Sequence, residues 1–136
     1  MKNAKFFSYL LIIISTSLFV SCTRESVDYY GSTPKETITK SQWSVDYYFA
    51  GNDRTAQFNN FRLNFNTNGI VVANDGTHTI DGSWNMLTNA DRNNVLKISM
   101  PEAQLQDMND QWTISVTSND LLIMKGGEKE MRLKKL

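Results

Sequence analysis

The stretch FRLNFNTNGIVV (residues 61–72) decides the fold. Phe61, Leu63 and Phe65 alternate with Arg62 and Asn64, the period of two that sends successive side chains to opposite faces of a strand. Asn68-Gly69 follows at once, and both residues tolerate the positive φ that a tight primed turn requires. The chain therefore reverses into a second short strand, from about Gly69 to Ala73.

The same period extends in both directions. Upstream, WSVDYYF (43–49) places Trp43, Val45, Tyr47 and Phe49 on one face. Downstream, Asp75-Gly76 turns the chain into THTIDGSWNML (77–87), where His78, Ile80, Gly82, Trp84 and Met86 share a face. VLKISM (95–100) follows, with Leu96, Ile98 and Met100 inward, and Pro101 ends it because proline has no N–H for the ladder. PEAQLQDMND (101–110) is the one stretch with helical character: proline in the first turn, acids early, Leu105 and Met108 three apart. It reads as one or two turns capping an open end. QWTISV (111–116) then points Trp112, Ile114 and Val116 inward, and LLIMK and EMRLKKL form a final hairpin. The expectation is an all-β, eight-stranded antiparallel up-and-down barrel with one short helix, since eight strands just enclose side chains or one small ligand.

Residues 41–136 hold this single domain, because about 100 residues support one core. The preceding CTRESVDYYGSTPKETITK (22–40) mixes charge, Gly31, Pro34 and Ser/Thr without sustained alternation, and reads as a flexible tether. Before it, Lys2 and Lys5 lead into a largely apolar run, Phe6 to Val20, with no acid. That is the layout of a secretory signal peptide, residues 1–21. The run falls short of the roughly 20 apolar residues that a membrane-spanning helix needs. It ends in Phe19, Val20, Ser21 and Cys22, which resembles the lipobox of bacterial lipoproteins, with the usual leucine displaced to Leu18. Cys22 is the sole cysteine, so an exported chain has no partner for a disulfide, and the resemblance implies lipidation of its sulfur. Each buried methylene contributes about 0.8 kcal/mol, so more than one acyl chain is needed for lasting anchorage. Cys22 is thus expected to be a fatty-acylated membrane anchor, with the chain in the cell envelope at the outer membrane.

Without residues 1–21 the chain keeps 12 basic against 14 acidic residues, a formal charge of −2. No long-range attraction for nucleic acid follows from so small a charge. The C-terminal KGGEKEMRLKKL is locally basic and reads as the solvent face of an edge hairpin whose lysines discourage edge pairing. Catalytic signatures are missing: no GxSxG, no glycine-rich phosphate cradle in NADRNN (89–94), no paired-carboxylate pattern. His78, the only histidine, has no ligand-spaced partner, and Asp75 and Asp81 miss the spacing of a calcium loop. Both Asp-Gly pairs are better explained as turn or bulge chemistry. The chain is expected to be non-enzymatic, monomeric, and without cofactor or metal.

The aromatics are the remaining signal. Trp43, Tyr47, Phe61, Phe65, Trp84 and Trp112 all project toward the expected interior. Either they fill it, each contributing roughly 2 to 3 kcal/mol by burial, or they line a small apolar cup at one end.

Together, Trp43, FRLNFNTNG (61–69), DGSWNM (81–86), QWTISV (111–116) and MRLKK (131–135) resemble the lipocalin-like small lipoproteins of Bacteroidetes. The chain departs from true lipocalins in its shortness and in having Ser41 where a glycine stands two before the first tryptophan. The resemblance implies a barrel that binds a small apolar or amphipathic ligand through the six aromatics above. The alternative is a protein- or glycan-interaction module with a solid core.

Overall fold

The computed structural model describes residues 32–136; the expected signal peptide, Cys22 and the first part of the expected tether lie outside the described residues. Eight strands run in up-and-down order: β1 (Gln42–Phe49), β2 (Arg62–Phe65), β3 (Ile70–Asn74), β4 (Thr79–Thr88), β5 (Asn94–Ser99), β6 (Asp110–Thr117), β7 (Leu121–Gly126) and β8 (Lys129–Lys135). Each is antiparallel to the next, and β8 pairs back onto β1 to close the barrel. Closure corrects the reading of the C-terminal hairpin as an edge. β7 pairs with β6 and β8 with β1, so its lysines stand on a continuous wall.

The deciding hairpin forms, with Leu63 opposite Ala73 and Phe65 opposite Val71. Its turn runs through Asn66–Gly69, where only Gly69 takes a positive φ, +86°, and Ile70 N–H donates to Asn68 Oδ1 at 3.1 Å. Phe61, Leu63, Phe65, Val71, Ala73, Ile80 and Trp84 all enter the core. So do Leu96, Ile98, Met100, Trp112, Leu122, Met124, Met131 and Leu133. Gly82 also faces in, and a side chain there would collide with the Ser99 carbonyl oxygen and the Met100 sulfur; its lack of one lets β5 close on β4.

Strict alternation fails at two places. In β1 the register slips between Val45 and Tyr47, so that Tyr48 is fully buried while Tyr47 turns outward. In β6 it slips between Ile114 and Val116, and Val116 is 43% exposed rather than inward. Each is a β-bulge, one extra residue that reverses the facing of everything after it on that strand. The inward assignments of Tyr47 and Val116 are thereby corrected. His78 precedes β4, its side chain 73% exposed, and so does not share the strand face.

Part of the stretch expected to be a tether is structured. Pro34–Thr39 form a short helix, α1, with Thr33 as N-cap. The Thr33 hydroxyl accepts from Glu36 N–H at 3.2 Å and the Glu36 carboxylate accepts from Thr33 N–H at 3.0 Å, a reciprocal capping box with proline in the first turn. Ile38 is fully buried in the barrel core. An apolar residue docked in the core repays the ordering entropy that a free tether would keep. At the opposite end, two 3-10 helices lie in the β1–β2 and β5–β6 connections, Thr55–Phe58 and Ala103–Met108. They bury Phe58, Leu105 and Met108. The second is the expected capping turn; the first was not foreseen.

Candidate functional site

Of the six aromatics expected to line a pocket, Trp43, Phe61, Phe65, Trp84 and Trp112 are buried in one continuous core, and Tyr47 is not. Tyr48 takes the inward place instead. What these side chains touch shows what they do. Trp43 Nε1–H donates to the Ile38 carbonyl at 2.9 Å, tying β1 to α1. Trp112 Nε1–H donates to the Met108 carbonyl at 2.8 Å and Tyr48 O–H to the Asp107 carbonyl at 2.7 Å, both in the second 3-10 helix and its strand junction. Trp84 Nε1–H donates to the Asn66 carbonyl at 2.9 Å, in the β2–β3 turn. Every interior aromatic with a polar atom spends it on the backbone of a segment that closes the barrel. Among the described residues no buried side-chain nitrogen or oxygen lacks a partner.

The rings also pack on one another. Phe65 meets Trp84 edge-on at 5.6 Å between centroids, and Tyr48 meets Phe58 at 4.9 Å and Trp112 at 6.1 Å. These are the tilted and edge-to-face arrangements that aromatic quadrupoles favour. Burial pushes the Tyr48 phenol above its ordinary pKa, the Asp107 carboxylate adds to this, and Arg54 partly offsets it. The phenol stays protonated and remains a donor.

Of the polar groups singled out earlier, Asp75 and His78 build a turn, whereas Asp81 and Gly82 stand within β4 opposite Val72 and Val71, which corrects the turn reading of that Asp-Gly pair. Asp75 Oδ1 accepts from the N–H groups of His78 and Thr77 at 2.7 and 2.8 Å, which hold its carboxyl below the usual range. His78 Nδ1 lies 3.4 Å from Asp75 Oδ2. Among the described residues no cluster of His, Cys, Asp and Glu is arranged to hold a metal.

The outer wall differs. Past the bulges, Tyr47, Arg132, Ile123 and Val116 stand opposite one another in a row across β1, β8, β7 and β6. The Arg132 guanidinium lies over the Tyr47 ring, 4.8 Å from its centroid, and pairs with Glu130 at 2.6 Å. The next row holds Phe49, Glu130, Lys125 and Thr113. Beside them a surface hollow of about 270 Å³ is lined by Tyr47, Phe49, Lys125, Glu128, Lys129 and Glu130, with Gly127 in the β7–β8 turn. Lys129 pairs with Asp110 and lies 5.7 Å from the Trp112 ring centroid. No sequence signal marked this hollow, because the β1 bulge that creates it leaves the alternating pattern of WSVDYYF unchanged.

The barrel has a solved counterpart. A DUF4847 family protein from Bacteroides vulgatus superposes with a TM-score of 0.52 at 12% sequence identity, over 74% of this chain and 95% of that one. At such identity the likeness is one of fold: a barrel of the same kind exists in Bacteroides. No family model matches the sequence, and no curated protein does.

Proposed function

We propose that this chain is a non-enzymatic interaction module of the cell envelope, lipid-anchored to the outer membrane through Cys22, whose solid barrel presents a recognition surface to a protein or glycan partner. The anchor rests on the basic, apolar and lipobox-like order of residues 1–22 and on the chain having no second cysteine. The lipocalin-like small lipoproteins that the sequence resembles fit this address.

One observation carries the choice of a recognition surface over an enclosed ligand: the indoles of Trp43, Trp84 and Trp112 and the phenol of Tyr48 are all bonded to closing segments. A small apolar ligand inside the barrel would have to displace these side chains or the plugs they hold. Emptying one large aromatic site costs about 3 to 5 kcal/mol, most of what a weak ligand could return.

Native mass spectrometry of the protein released from its own envelope tests this reading. A co-purified macromolecule, or the bare lipidated chain, is expected. A retained small apolar mass would instead favour the carrier that the lipocalin-like resemblance implies. The anchor is tested separately: Cys22→Ala is expected to abolish metabolic labelling with fatty acid, and normal labelling would remove it.

A further inference from the structure

The hollow beside the β7–β8 turn has a chemistry narrower than recognition in general. Its aromatic side comes from Tyr47 and Phe49, two residues apart on β1 and so on one face, which the bulge before them turns outward. Bulges commonly re-aim a side chain next to a functional site. This one also sends Tyr48 inward, where its hydroxyl is bonded to the Asp107 carbonyl, so the facing of both neighbours is fixed. Arg132 stacked on Tyr47 and paired with Glu130 holds that ring in place.

The polar side is balanced. Lys125 and Lys129 face Glu128 and Glu130, two charges of each sign. Lys129 is engaged by Asp110 and Glu130 by Arg132, while Lys125 and Glu128 form no ion pair among the described residues. One ammonium with three donors and one carboxylate with two acceptor oxygens remain for a ligand. A net anion or cation finds no excess of opposite charge here, and a purely apolar molecule would leave the Lys125 donors and the Glu128 oxygens, both exposed, unused. A ligand that suits the hollow has an apolar face for the rings and neutral groups that both donate and accept. A neutral sugar ring has both, its C–H face toward the aromatics and its hydroxyls toward Lys125 and Glu128. We propose that this hollow binds a neutral sugar unit of a glycan, an assignment that rests on the interaction-module reading and names its partner's chemistry.

The test uses the mature, ¹⁵N-labelled chain in a sugar-free zwitterionic detergent, titrated with maltohexaose, cellohexaose, xylohexaose, mannohexaose and chitohexaose, and with an oligogalacturonate as the acidic comparison. At least one neutral oligosaccharide is expected to shift the amides of Tyr47, Phe49 and Lys125–Glu130. Its affinity should fall tenfold or more in Phe49→Ala and in the exposed double variant Lys125→Met, Glu128→Gln, and stay unchanged in Lys134→Ala. The double variant keeps the test decisive should Phe49→Ala fail to fold. Silence across the neutral panel, or preference for the galacturonate, would overturn the proposal. Shifts confined to another part of the surface would also overturn it while leaving the recognition reading intact. A small apolar mass lodged in the barrel core would overturn the recognition reading itself.

Discussion

Tyr47 and Tyr48 are adjacent and identical, yet one belongs to the outer wall and the other to the core. Tyr48 is fully buried, its hydroxyl bonded to the Asp107 carbonyl and its ring against Phe58 and Trp112. Tyr47 is half-buried on the outside, its ring under Arg132. The difference is set by one inserted residue in β1. It teaches that the aromatics of this chain divide into two sets with different surroundings: the inner set locks the barrel's closing segments, and the outer pair stands on the wall among charged side chains.

Substitutions should separate the two sets by size of effect. Trp112→Ala removes a fully buried ring and the bond to Met108, and is expected to cost about 3 to 5 kcal/mol, seen as a lower urea midpoint. If that variant is as stable as the parent, Trp112 is not part of the locking set. Ile38→Ala should cost about 2 to 4 kcal/mol and raise amide exchange in α1 first, whereas a free tether would give no change. Tyr48→Phe is expected to cost about 1 to 2 kcal/mol through the unpaired Asp107 carbonyl; Tyr47→Phe should cost almost nothing.

Titration sharpens the contrast. The Tyr48 pKa is raised in the folded chain, so its contribution is present below the unfolded value near 10 and is lost as the pH rises through the folded value. Tyr48→Phe should flatten that alkaline decline. A smaller effect than that of Tyr48 belongs to Asp110, the ion-pair partner of Lys129. Burial pushes its carboxyl up, but the hydrogen bond from Lys129, the Gln111 N–H and the Lys129 charge outweigh this and leave it lowered. Its contribution is therefore present above the unfolded carboxylate value near 3.9 and is lost as the pH falls through the folded one. Asp110→Asn should remove under about 1 kcal/mol at neutral pH and less in acid.

Strand identity, number and order were legible because alternation and the Asn-Gly and Asp-Gly turns each have a local cause. Trp43, Phe61, Phe65, Trp84 and Trp112 could be placed inside on that basis. Tyr47 and Val116 could not, since a bulge is dictated by closure and pairing across strands and leaves no mark in the residues beside it. α1 was legible and overlooked: Thr33-Pro34-Lys35-Glu36 is a capping box with proline at the first helical position, and Ile38 follows as the residue that docks. The 3-10 helix at Thr55–Phe58 carries one buried apolar residue, too little periodicity to read. As for the site, Asp75 and His78 resolved into a turn and Asp81 into the middle of β4, whereas the outer hollow depends on the same bulge and so stayed hidden.

The solid core is tested most directly by titrating the folded, acyl-free chain with a hydrophobic dye while following tryptophan emission. Locked indoles at Trp43, Trp84 and Trp112 predict no saturable uptake and no energy transfer to the dye. One-to-one binding that quenches tryptophan emission and disappears in Trp84→Ala, with that variant still folded, would contradict it and show that the barrel holds a cup.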